Sequence, residues 1–580
     1  MKKKTLLYSL LLLGSTSFTS CTDMLEKEPL DKFTNNPLFW NNPSSVEGYA
    51  ASFYNLFTGY GNGSGYGDYY FKYLSDDQIG ASYQNWKFVN VPAESADWAD
   101  TWDEIRRANA MIEALNSPST TMEETTKNHW LGVARLMRAW QYWDLVRKFG
   151  DCPWLDHVPD IDDPVLYAER TDRDEIMDYV YEDLEFACNN VLDEKSQTTW
   201  SRDLAYAMTS HIALWEGTYR KYRSEADHQK VADLDGAKRF LDLCVKACEQ
   251  IMPDYSLCDS YQSIYNSETL AGNPEVIFYK EYKKDLFGHS LINFTCMSTP
   301  ISGMTKDAFD SYLFLDGKTK ANTTYDNSDA GVLKVSTTDM KEHLNIKALL
   351  DVRDKRLAAT IDSIVCYSKR EWPRLNGGSA MVSSSGYTVS KYDNVNIEST
   401  YRVTGGKNYT SAPLYWLSVI YLNFAEAKAE LADMGQGSIT DEDLNNSINK
   451  LKQRAGLPII KTTVEDMGDN DMNVSPLIFE IRRERRCELM FDNDFRYWDL
   501  IRWHQLDKLD SSVNKDITFG ANVANDPEAA SNPDITVKDG YIDGYMGRTR
   551  TYEYKHYWYP IPSGQINLNK NLGQNPGWEE

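Results

Sequence analysis

Apolar residues recur every three or four positions along most of the chain, and that spacing predicts helices. Over 98–115 it sets Trp102, Ile105, Ala108 or Asn109, and Ile112 on one face. Over 129–149 it aligns Leu131, Ala134, Met137 or Arg138, Gln141 or Tyr142, and Leu145, and Gly150 stands where a C-cap is needed. The segments 171–192 and 201–222 read as an antiparallel pair, and 235–252 as a further helix. Later, 414–434 places Leu417, Tyr421, Phe424, Lys428 and Leu431 on one face, with Gly435 behind it. Thr440 is positioned as an N-cap, and Asp441, Glu442 and Asp443 suit the positive end of a helix dipole. Leu444, Ile448 and Leu451 then face inward until Gly456 and Pro458 stop the helix. Ser475-Pro476 starts another, with proline in the first turn.

Helix pairs joined by short turns predict a mostly α fold. The expected frame is a tetratricopeptide-like scaffold of helical hairpins, although the strict consensus of that repeat is not visible. Between 273 and 407 the periodicity fades and Gly, Ser, Asn and Thr rise, which predicts an irregular, loop-rich ligand-binding lobe with short strand-like pieces such as 276–279. No clean linker separates lobe from frame. Residues 44–260 and 261–580 are therefore expected to form one compact unit.

The first residues read differently. Lys2, Lys3 and Lys4 precede an apolar run over 6–13, small and polar residues, and Cys21. The run is too short for a bilayer, which takes roughly 20 apolar residues. A cleaved signal peptide over 1–20 follows, with Cys21 as the lipid-attachment residue. The other reading is an ordinary secretory leader with a chance cysteine. Acyl chains contribute about 0.8 kcal/mol per buried CH2, so several hold a protein on a membrane with no helix crossing it. The proline-bearing stretch 21–43 reads as a tether.

Composition narrows the chemistry. The formal charge is −25, and −28 once the three leader lysines are removed. That excludes nucleic acid and electrostatic docking on anionic lipid, both of which reward Lys and Arg. Tyr (37), Trp (16) and Phe (20) are abundant, and their flat faces and polar tips suit hydroxylated ligands. Most are nonetheless expected in the core. The cysteines after Cys21 show no paired C-x2-C; Cys244 and Cys248 lie one helical turn apart, poor geometry for a bridge. Buried free thiols are expected, and neither a metal nor a cofactor.

Several blocks then resemble the SusD/RagB family. Glu484-Arg485-Arg486-Cys487-Glu488-Leu489-Met490-Phe491 followed by Arg496-Tyr497-Trp498-Asp499-Leu500-Ile501-Arg502-Trp503 is similar to its signature. Ala134-Arg135-Leu136-Met137-Arg138-Ala139 through Phe149-Gly150-Asp151-Cys152-Pro153 resembles another block. So do Tyr421-Leu422-Asn423-Phe424-Ala425-Glu426-Ala427, Arg454-Ala455-Gly456-Leu457-Pro458, and Tyr559-Pro560-Ile561-Pro562 with Gln574-Asn575-Pro576-Gly577-Trp578. The chain departs from the family at Asp492-Asn493, where Glu-Gly is usual. The resemblance implies a non-catalytic lipoprotein on the outer face of the outer membrane. It would capture an oligosaccharide or polysaccharide for a SusC-like TonB-dependent transporter; RagB-like members imply peptide capture instead. In the signature itself, Arg485 and Glu488 lie three apart, as do Arg496 and Asp499, a spacing that reads as ion pairs locking helices together.

Platform residues vary within the family, so composition must choose them here. In 59–86, glycines at 59, 61, 63, 65 and 67 alternate with Tyr60, Asn62, Ser64 and Tyr66, and no helical period appears. Tyr66, Tyr69, Tyr70, Tyr83 and Trp86 are candidate stacking rings, with Asp76 as a hydroxyl acceptor. The irregular lobe offers Trp372 and Tyr387, with Arg374 and Asn376 between them. The opposing expectation for both stretches is loop packing. A glycoside hydrolase would need two carboxylates about 5–9.5 Å apart, and adjacent Asp76 and Asp77 diverge. There is no G-x-S-x-G elbow, and Gly317-Lys318-Thr319 lacks the first glycine of a phosphate loop.

Overall fold

The structure is a computed structural model and describes residues 36–69, 74–224, 231–297, 302–373, 380–492 and 494–579. The leader, Cys21, most of the tether, Tyr70, Arg374 and Asn376 lie outside the described residues. The last residues of the expected tether are helical instead. In α1 (Pro37–Trp40) and α2 (Pro43–Ala50), Asn36 and Asn42 cap helices whose first turn holds a proline. Trp40 is buried edge-on against Tyr49.

The helical frame follows: α3 (Ala96–Asn116), α4 (Glu124–Phe149), α5 (Arg173–Asn190), α6 (Arg202–Tyr222) and α7 (Leu234–Ile251). Successive helices pack as α3 on α4, α4 on α5 and α6 on α7. Their ends are chemically marked. Glu123 accepts from the N–H groups of Thr125 and Thr126, Gly150 ends α4 at φ 71°, Ser201 caps α6 and Asp233 caps α7. Among the described residues no helix is long and apolar enough to cross a membrane.

Short antiparallel strand pairs interrupt the frame. They are β1 (Gln78–Gly80) with β3 (Ser302–Met304), β2 (Val276–Lys280) with β6 (Ala412–Trp416), and β4 (Val332–Val335) with β5 (Glu342–Asn345). The 414–434 helix is corrected here. Residues 414–416 belong to β6, and the helix α8 begins at Leu417 and ends at Asp433. A short apolar run fits either state, and pairing with β2 decides it. The helix expected after Thr440 does carry a capping box with Asp443, but it breaks at Asn446 and resumes as Ile448–Arg454.

The charged signature forms α9 (Pro476–Glu488) and α10 (Phe495–Arg502). Its charges are buried and paired, but not at i,i+3 as the spacing suggested for Arg485 with Glu488 and Arg496 with Asp499. Arg485 meets Asp499 at 2.7 Å, and Glu488 takes Arg454 at 2.5 Å and Arg356 at 2.8 Å. Arg496 grips Asp76 through two hydrogen bonds of 2.6 and 2.8 Å. These bonds tie helix to helix and helix to loop. The eight described cysteines are free thiols, and all but Cys258 are buried.

Candidate ligand-binding face

The glycine-rich stretch folds back on itself. Gly61 adopts φ 89°, and a Cβ there would sit 2.3 Å from the Gly65 carbonyl oxygen; one on Gly67 would sit 2.2 Å from that of Gly59. Only glycine allows backbones this close. The tight turn sorts the tyrosines. Tyr60 and Tyr69 point inward and are fully buried, and the Tyr69 hydroxyl donates to Pro413 O at 2.5 Å. Tyr66 points outward, 65% exposed, and leans on Phe294 with ring centroids 5.0 Å apart. Exposed Asn62 and Ser64 flank it.

Four of the candidates are corrected by burial. Tyr69 is one. Asp76 is spent on Arg496 and Arg486; burial alone would raise its pKa, but the two guanidinium groups outweigh that and hold it well below the usual carboxylate range. Asp77 is likewise buried and bound to Arg486 at 2.7 Å. Trp86 is 8% exposed, lies flat on His556 at 4.0 Å, and donates its indole N–H to Thr551 O. Tyr387 stacks on Phe309 at 4.6 Å inside the lobe, where burial pushes its hydroxyl far above the ordinary tyrosine pKa. Rings and carboxylates buried inside a core present nothing to a ligand.

Tyr83 and Trp372 keep part of their surface. The Tyr83 hydroxyl donates to Thr549 O at 3.0 Å, and the Arg548 guanidinium lies 5.4 Å from its ring centre. Trp372 pairs its backbone with Met381 and sets its ring edge-on to His343 at 5.0 Å. A chain of contacts joins these two to Tyr66. Two residues beyond Phe294, the Cys296 carbonyl accepts from Val382 N–H, next to Met381. Ser384 donates to Ile79 O at 2.7 Å, and Ile79 abuts Gly544 beside Tyr545, on which Tyr83 packs. The two sequence candidates, 59–86 and the irregular lobe, are therefore connected through buried contacts at Cys296, Met381 and Ile79. Phe294 and Arg548 were missed because neither stands in a patterned stretch; each acquires its neighbour only through folding.

Elsewhere, a 490 Å³ groove lies between α3, residues 153–167 and residues 565–572. Val165, Leu166, Leu568 and Leu572 line it together with the rings of Trp98, Trp102 and Tyr167 and the polar Asp103, Arg106, Asn109 and Gln565. Among the described residues no cluster of His, Cys, Asp and Glu is placed to hold a metal ion.

The architecture defines a class: a mostly α frame of paired helices that carries an irregular, loop-built lobe. The sequence model of the SusD family matches residues 274–578, and a second model, described as starch-binding and associating with the outer membrane, matches 46–214. The chain belongs to the SusD family. SusD-like protein P2 of Formosa agariphila is 22% identical over 500 residues, covering 83% of this chain and 80% of that one. Among solved structures, a SusD-like carbohydrate-binding protein of Bacteroides fragilis superposes with a TM-score of 0.68 at 19% identity, over 92% of this chain and 100% of that one. A laminarin-binding SusD-like protein gives 0.55 at 16% identity, over 93% and 100%. These structural likenesses establish the fold.

Proposed function

We propose that this chain is a non-catalytic glycan receptor that binds a neutral oligosaccharide on the loop face around Tyr66. The observation that carries the reading is an outward Tyr66 ring, braced by Phe294 and flanked by amide and hydroxyl groups. A ring of this kind covers the C–H face of a sugar while neutral polar groups meet its hydroxyls. The descriptions of the second family model and of the two carbohydrate-binding neighbours support the ligand class. The leader-like start supports a mature protein lipidated at Cys21, held on the outer face of the outer membrane. There it passes its ligand to a SusC-like TonB-dependent transporter.

Isothermal titration of the mature chain against glycan and peptide panels tests the reading. Binding to a neutral glycan, weakened by Tyr66→Ala and Phe294→Ala and without product formation, is the expected result. Binding to peptides alone supports the RagB-like alternative and overturns glycan capture, as does glycan affinity unchanged in both variants. A Cys21→Ser chain is expected in the soluble fraction; one that stays on membranes removes the anchor.

A further inference from the structure

A cavity of 190 Å³ lies apart from the Tyr66 ring, between α4, α6, β6 and the start of α10. Its walls are aromatic: Phe57, Trp140 and Trp498. Three other lining residues carry polar atoms. Arg147 is held between the rings of Trp143 and Trp498, each 4.1 Å from its guanidinium carbon. Asp144 takes its Nε and one terminal nitrogen, at 2.9 and 2.6 Å, and leaves the second terminal nitrogen unbonded. His211 has an unpartnered buried Nδ1. Tyr415 is only 4% exposed, and its hydroxyl is not among the buried unsatisfied atoms. Of the three, only the His211 nitrogen is both buried and unsatisfied, and such a group is costly unless something fills the space beside it.

The charge of the lining selects the filler. Asp68, Asp144 and Asp494 face two cations, Arg147 and Lys148. His211 adds none, because burial and the nearby arginines 485, 147 and 502 keep it neutral. An anion therefore meets net negative charge. The volume is below the roughly 300–1,000 Å³ of ordinary small-molecule pockets, which limits an occupant to one ring at most.

We propose that this cavity is a second binding site, taking one neutral pyranose unit between Trp140 and Trp498, with its hydroxyls on Arg147, His211 and Tyr415. The unit arrives either as a free monosaccharide or as the end of a longer glycan. Only Asp68 belongs to the glycine-rich loop, so the site stands or falls separately from the Tyr66 face.

Crystals of the mature chain soaked in glucose, galactose, mannose, xylose or fucose, with glucuronic acid as the charged control, test it alongside titration of the same sugars and their oligomers. One neutral sugar should occupy the cavity, and glucuronic acid should not. Tyr415→Phe, which removes one hydroxyl and no volume of consequence, should weaken that sugar about three- to tenfold. Trp140→Ala should weaken it further at an unchanged circular-dichroism spectrum, while Tyr66→Ala leaves it alone. Oligomers that bind there as tightly as the monomer identify a chain end; monomer binding alone identifies a free sugar. A cavity that holds only water at saturating sugar overturns the proposal, as does binding that neither Tyr415→Phe nor Trp140→Ala alters.

Discussion

Arg502 closes on both carboxylate oxygens of Glu426, at 2.6 and 2.8 Å, and joins α10 to α8 across 76 positions of sequence. Both residues are at most 1% exposed. Trp503 and Thr218 complete the arrangement: the indole N–H donates to Glu426, and Arg502 donates to the threonine hydroxyl. Replacing Glu426 with alanine leaves the buried Arg502 guanidinium with Asp499 as its one remaining carboxylate among the described residues. The expected loss is about 3–5 kcal/mol, read as a lower urea midpoint at unchanged slope. Glu426→Ala combined with Arg502→Leu should cost less than the two single changes added, because either change alone already forfeits the bonds between them.

Inward and outward rings of the same loops should respond in opposite ways. Tyr66→Ala is expected to lower glycan affinity by about 1–2 kcal/mol, five- to thirtyfold in Kd, and to leave the melting temperature unchanged. Trp86→Ala is expected to do the reverse. It empties a buried site, costs about 3–5 kcal/mol of stability and leaves ligand affinity within twofold at a temperature where the variant is folded. Titration and calorimetry on the two variants check both halves.

Gly67→Ala should disable the loop without touching a ring. The added Cβ falls 2.2 Å from backbone atoms of Gly59 and Gly61, which are not free to swing aside. A displaced turn moves Tyr66, so the expected signature is glycan binding lost by tenfold or more with less than about 3 kcal/mol of destabilisation.

Acid should unfold the protein through histidines that are buried neutral. His289 accepts from Leu291 N–H at Nδ1 and donates from Nε2 to Thr410 O, and burial lowers its pKa to about 3. Burial likewise lowers His129 and His556 to about 4. The unfolded chain takes up these protons near pH 6.5 and the folded chain does not. Stability is therefore intact above pH 6.5 and falls as pH drops, by about 1.4 kcal/mol per unit for each histidine. Asp492 acts in the opposite sense. Burial, partly offset by Lys391, raises its pKa to about 6, so its contribution is lost as pH rises from 4 to 6. Comparing urea midpoints of wild type and His289→Gln between pH 7 and 4 isolates one histidine: the variant should show the shallower slope.

The helices α3 to α7 were legible because their apolar residues recur at helical spacing over long segments, although α4 and α6 turn out buried on nearly every face. Leu414 to Trp416 were not, because a run apolar on every side carries no period. The candidate face was half legible. Glycine and tyrosine in alternation marked a loop without helical period, but only the positive φ angles decide that Tyr66 faces out and Tyr69 faces in. The signature charges were readable as buried pairs, whereas their partners, such as Asp76 for Arg496, stand on elements that no local spacing connects.

That last pair sets a timetable for the nascent protein. Asp76 and Arg496 are 420 positions apart. At about 5–20 residues per second, the arginine leaves the ribosome roughly 20–80 s after the aspartate. Until Arg486 and then Arg496 are made, the adjacent carboxylates of Asp76 and Asp77 lack the counterions they meet in the fold. The first half of the polypeptide can assemble its helical hairpins in that interval, but the loops around Asp76 are tied down only when the last fifth of the chain has been made.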